Sequence, residues 1–202
     1  MKNKEKSKEE AAQPVPVAAE PAGSAHNGQS DALEQLYEQA RRHAEQLETL
    51  SVIESALSET TTETEMLDVF VLAVRDTTHL TAWLLYADVD AAGTPTTQIV
   101  ASWHHGSIQV DDPLLNRPLP LELLPVARLW MEDPGEIFYA VDVQRAPEAS
   151  AELRDWAATS GTHTLMVLPM LSGGHLQGVI VLRWSEPYSL SSSELFVLRR
   201  LL

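Results

Sequence analysis

A chain of 202 residues, 44% of them hydrophobic and five of them Trp, can hold one sizeable buried core plus appendages. Its net charge of −15 argues against a nucleic-acid surface or adhesion to anionic membranes, because phosphate binding needs clustered Lys and Arg. It has no Cys, which excludes disulfides, thiolate catalysis and Cys-ligated zinc and suits a cytoplasmic setting; no apolar run approaches the roughly 18 residues of a membrane span.

Residues 1–30 read as a disordered tail, charged at first and then rich in Pro (Pro14, Pro16, Pro21) and Gly (Gly23, Gly28), with almost nothing to bury. Residues 31–57 read as a long helix opened by Asp31, with Glu34 three residues later. Leu33, Leu36, Ala40, His43, Leu47, Leu50, Glu54 and Leu57 fall on alternating steps of three and four, the a/d seam of a coiled coil between two chains. The alternative is an amphipathic helix packed on its own domain. Residues 58–202 then form the globular part. Thr62 and Glu65 have capping-box spacing, and Leu67, Phe70, Val71 and Val74 share one face of a helix ending near Thr77.

Strands are expected at 82–87 and 97–104, followed by a polar loop from His105 to Pro118. A helix at 121–131, a third strand at 136–143 and a helix at 149–159 follow, the last closed by Ser160-Gly161. Two apolar runs, Thr164–Leu171 and His175–Leu182, flank a Ser-Gly-Gly turn and read as a hairpin, with Gly178 marking close packing or a bulge. Ser191 with Glu194 caps a final helix. The order implies an α+β fold, an antiparallel sheet of five to six strands flanked by helices and preceded by a long N-terminal helix.

Catalytic patterns are missing. There is no nucleophile elbow, phosphate loop or zinc motif. His104 and His105, adjacent on a strand, are expected to point to opposite faces, and Asp111-Asp112 reads as a solvated loop pair.

Residues from about Leu47 to Leu202 resemble the GAF domain, a sensory module of bacterial signalling proteins with a GAF/PAS-like sheet. The resemblance is carried by Leu80–Tyr86, Pro125–Arg128 before Pro134-Gly135-Glu136, and Val141-Asp142-Val143. Its closing pattern is Thr164–Met170, Gly174, Gly178-Val179-Ile180 and Tyr188-Ser189-Leu190 before Glu194. It implies a small-molecule pocket on one sheet face, and terminal helices that form a homodimer and relay its state to a downstream kinase, cyclase or other regulator. It points to Trp103, Phe138, Tyr139, Asp142, Trp156 and His163 as ligand-binding candidates. Family members that reduce methionine sulfoxide or carry a covalent bilin do so through Cys, so neither chemistry is open to this chain. The cyclic-nucleotide motif of the family is only echoed, by Asn116-Arg117 and by Phe138 with Asp142. The expected function is a non-enzymatic sensor of an unidentified small ligand, with no identifiable cofactor or metal. The rival readings are a ligand-free dimerisation module and a non-Cys enzyme.

Overall fold

The computed structural model describes residues 24–89, 95–132 and 134–201. In chain order they form α1 (Ser24–Glu59), α2 (Glu63–Val71), β1 (Leu80–Val89), β2 (Pro95–His104), β3 (Ser107–Ile108) and β4 (Pro118–Pro120). A 3-10 turn (Leu121–Leu123), α3 (Ala127–Glu132), β5 (Phe138–Ala140), α4 (Ala151–Thr159), β6 (Thr164–Ser172), β7 (His175–Trp184) and α5 (Ser192–Arg200) complete the order. The chain divides into two compact units, one up to Arg42 and one from His43.

In the first unit the helix starts at Ser24, so residues 24–30 are helical rather than tail and Asp31 is not its cap; the rest of the expected tail lies outside the described residues. Leu33 and Leu36 are 67% and 62% exposed.

In the second unit β7 lies between β1 and β6, and the antiparallel sheet runs β3-β2-β1-β7-β6-β5, with β4 also on β2. These are seven strands among the described residues. The surplus over the expected five or six comes from β3, inside the stretch read as a polar loop, and β4, which begins at its last residue.

Side chains along a strand alternate between faces. Leu80, Ala82 and Leu84 of β1, with Ile180, Leu182 and Trp184 of β7, pack under Leu50, Ile53, Leu67, Phe70, Val197 and Leu198 of α1, α2 and α5. Trp83 and Leu85, with Val179 and Val181, pack on the opposite face with Val126, Ala127, Trp130, Leu153 and Ala157, around α3 and α4. Strands covered on both faces read as unbroken apolar runs, as Thr164–Leu171 does.

Local chemistry sets the ends. Both capping boxes form: Thr62 and Glu65 open α2, and Ser191 and Glu194 open α5. α2 stops at Val71, short of Thr77. Beyond it the Arg75 amide donates to Glu194 (2.8 Å) and the Thr78 amide to Asp76 (3.0 Å), which replaces helical bonding. Pro125 brings no amide hydrogen, and the helix expected at 121–131 is split into the 3-10 turn and α3. β5 is shorter than its apolar run because Asp142 Oδ1 accepts from the Gln144 amide (3.0 Å) and turns the chain. The hairpin turn sits on Gly173 and Gly174, at φ 59° and 81°, a left-handed pair that glycine adopts without strain. A Cβ on Gly178 would stand 2.9 Å from the Leu85 carbonyl oxygen, so the close packing expected there is real. A register shift lies nearby, between Met170 and Leu171.

Candidate functional site

β7 is apolar from Val179 to Trp184 except at Arg183. Alternation places Arg183 on the face of Val179 and Val181, toward α4. Its guanidinium carbon lies 4.2 Å from the Trp83 ring centroid and 5.9 Å from that of Trp156 on α4, and the two indoles are 6.4 Å apart. Stacking on Trp is a cation–π contact that suits the planar, weakly hydrated guanidinium. Its Nε is buried with no hydrogen-bond partner, and among the described residues no carboxylate pairs with it. Burial pushes Arg183 below its ordinary value, and Asp112, too distant for an ion pair, opposes that shift. The group stays a cation throughout the ordinary pH range.

Beside Arg183 lies an open cleft of about 340 Å³, walled by Thr81 and Trp83 of β1, Ser102 and His104 of β2, and Asp111 and Asp112 of the following loop. Register brings these together: Thr81 pairs with both Arg183 and His104, and Trp83 pairs with Ser102. The loop is pinned over β2. Ser102 Oγ donates to Asp112 Oδ2 (2.8 Å), the Leu114 amide donates to Asp112 Oδ1 (2.9 Å), and the Asn116 amide donates to the Ile99 carbonyl (2.8 Å). Asp112 is therefore a structural fastener and not a solvated loop residue. Asp111 is exposed and, among the described residues, makes no hydrogen bond or ion pair.

His104 and His105 do not diverge as expected. The strand ends at His104, and His105 turns at φ 48°, which brings the two rings to 3.8 Å. His105 Nδ1 donates to the Thr78 carbonyl (2.9 Å). Burial, then His105 and Arg183 beside it, push His104 below its ordinary value, against a smaller pull from Asp112; the net shift favours its neutral form. Among the described residues no three metal-binding side chains cluster.

Of the six residues expected to bind ligand, only Trp156 reaches this cleft's surroundings. Trp103 pairs with Ala82 and is buried on the opposite, α1–α2–α5 face. Tyr139 belongs to that face too, its hydroxyl accepting from the Leu190 amide (2.9 Å). Phe138, one residue earlier, packs on the α3–α4 side. Asp142 is tied into its turn and an exposed pair with Arg145 (3.3 Å), and the His163 side chain is exposed. Adjacent strand residues cannot share a face, and the six were drawn from both. Arg183, Trp83, Ser102 and Asp112 were missed. The available signal was Arg183 itself, a lone charge inside an otherwise apolar strand.

The expected dimer seam also divides. Leu33, Leu36, Ala40, His43 and Leu47 are exposed, whereas Leu50 is 6% exposed and belongs to its own domain's core, with Leu57 packed against it. Leu50 and Leu57 are thus engaged within the chain, which corrects their assignment to the seam.

No family model matches the sequence, and no curated protein matches it. The fold, however, is that of the GAF domain. The structure is similar to the chromophore-binding domain of an unusual bacteriophytochrome from R. palustris (TM-score 0.58, 13% identity, 80% of this chain and 59% of that one). It is similar to the chromophore-binding domain of a Stigmatella aurantiaca phytochrome (0.57, 14%, 78% and 57%). It is also similar to the GAF domain of an Acinetobacter phosphoenolpyruvate-protein phosphotransferase (0.52, 15%, 77% and 87%). The chain spans a little under three-fifths of the length of the two phytochrome structures.

Proposed function

We propose that this chain is a sensory GAF module that binds a small molecule non-covalently in the Arg183 cleft and relays its occupancy to a partner. The observation that carries this reading is Arg183, a cation between two indoles with a buried Nε that no protein acceptor meets. A buried, incompletely paired charge is costly to the fold, and a ligand anion against the guanidinium would offset part of that cost. Any chromophore or cofactor would be held without a Cys link.

The test is a thermal-shift screen of nucleotides, organic acids, amino acids, haem and bilins against the wild-type chain and Arg183→Met. Stabilisation lost in the variant supports the cleft; no stabilisation by any compound favours the rival reading, a ligand-free structural module. That rival draws on the well-filled α3–α4 face, where Trp130 and Leu153 are fully buried.

The proposed relay is a homodimer formed through the exposed stripe of Leu33, Leu36 and Leu47 on α1, with a kinase, cyclase or other regulator downstream in the cytoplasm. Leu36→Asp with Leu47→Asp, followed by sedimentation at micromolar concentration, gives a monomer if this holds. A wild-type chain that is already monomeric removes the dimer from the proposal.

A further inference from the structure

The cleft carries both signs of charge, and this narrows its occupant. It is lined by the guanidinium of Arg183, whose Nε has no hydrogen-bond partner. It is also lined by Asp111, free of hydrogen bonds among the described residues, and Asp112, whose two oxygens each already accept one.

A phosphate dianion would face two carboxylates against one cation. A simple amine would face the guanidinium. A neutral apolar ligand would cover Arg183 and leave its donors without acceptors, which costs more than it gains. Resting on the reading of the cleft as the sensor's ligand site, we propose that it takes a small zwitterion of the amino-acid class. The ligand's carboxylate lies on the terminal nitrogens of Arg183 and its ammonium group lies toward Asp111 and Asp112. The guanidinium fork matches a carboxylate in two parallel hydrogen bonds, and stacking on Trp83 holds the fork at a fixed angle. The volume, about 340 Å³, is at the small end for ligand cavities and suits one amino acid rather than a nucleotide.

The experiment is thermal shift followed by titration calorimetry on the full chain, with each standard L-amino acid as probe. Acetate and propionate supply the carboxylate alone, ethanolamine the amine alone, and inorganic phosphate the dianion, all at matched ionic strength. At least one amino acid is expected to stabilise the wild-type chain, while the single-function probes do not. Arg183→Met keeps the apolar stem over Trp83 and is expected to weaken binding roughly tenfold or more, the scale of a lost charge-assisted pair. Arg183→Lys, which keeps the charge but not the fork, is the second variant should the first fail to fold. Asp111→Asn, at an exposed position, is expected to weaken the amino acid severalfold.

Equal binding of acetate or phosphate overturns the zwitterion. So does an amino acid whose affinity is unchanged in Asp111→Asn and in either Arg183 variant. A hit of another chemical class that is lost in Arg183→Met overturns the ligand class but leaves the cleft as a sensor site. No hit of any class overturns both.

Discussion

Replacing Glu194 removes an acceptor shared by four donors. The residue is 4% exposed at the start of α5. One carboxylate oxygen accepts from the Ser191 amide (2.8 Å) and hydroxyl (2.6 Å). The other accepts from the Arg75 amide (2.8 Å) and the Tyr188 hydroxyl. Glu194→Ala loses half of a capping box, about 0.5–2 kcal/mol, and strands the Tyr188 and Arg75 donors, about 1–3 kcal/mol each where water cannot replace the acceptor. Arg75 is exposed enough for partial rehydration, so the expected loss is about 3–5 kcal/mol, a large share of a typical domain's stability. Glu194→Gln keeps the volume and one oxygen, and should cost about half as much.

The assay is urea unfolding followed by Trp fluorescence, which is well placed because Trp184 stacks on Tyr188 at 4.9 Å. Acid adds a second reading. Burial pushes the Glu194 carboxyl up, but the combined hydrogen bonds from Ser191, Tyr188 and the Arg75 amide hold it below the ordinary value of 4.5. A carboxyl depressed in the folded state stabilises fully above its unfolded value and loses that contribution as pH falls through the folded one. The stability gap between wild type and Glu194→Gln should therefore narrow below pH 4.5. A loss under about 1 kcal/mol in Glu194→Ala, or a gap unchanged from neutral pH to well below 4.5, would refute the assignment.

Burial, then the hydrogen bond to Glu194, raises the Tyr188 phenol to about 12, so a spectrophotometric titration should show a late tyrosine that disappears in Tyr188→Phe. Because the folded value is above 10.0, its stabilisation is complete below pH 10.0 and is lost as pH rises through about 12. Gly178→Ala forces a methyl against the Leu85 carbonyl, the Tyr86 ring and Met170, and should cost about 1–3 kcal/mol in urea; an unchanged midpoint contradicts the tight contact. Leu50→Ala should cost about 2–5 kcal/mol and Leu47→Ala under about 0.5, and equal losses would mean that Leu50 is not core.

Features set by neighbours in sequence were legible. The capping boxes that open α2 and α5 and the Gly173-Gly174 turn each depend on residue types only a few positions apart, and each formed where expected. What depends on register was not. The cleft joins Thr81, Ser102, Asp112 and Arg183, from β1, β2, a loop and β7, and only strand pairing makes them neighbours. Trp103 and Trp83 look equivalent as strand aromatics, yet pairing sends them to opposite faces. The heptad spacing of α1 was real, but spacing cannot say what covers each leucine, and Leu50 found its own domain while Leu36 did not.

The cleft and the last helix are joined by one step of strand alternation. Arg183 faces the cleft; Trp184, next in β7, faces the helices. The Trp184 indole donates to the Asp76 carbonyl (3.1 Å) and stacks on Tyr188, whose hydroxyl donates to Glu194. Glu194 in turn holds the Arg75 amide, in the segment leaving α2. A ligand on Arg183 would thus load a strand whose next residue is bonded to the segment leaving α2 and stacked on Tyr188, which donates to Glu194 in the capping box of α5. Contiguity of this kind transmits nothing by itself: the ligand must bind one arrangement of these groups better than another. Glu194→Gln separates the two requirements. It loosens the link without touching the cleft, so if the link couples the two sites the ligand should stabilise wild type and Glu194→Gln by different amounts, and equal stabilisation would mean that no coupling runs through Glu194.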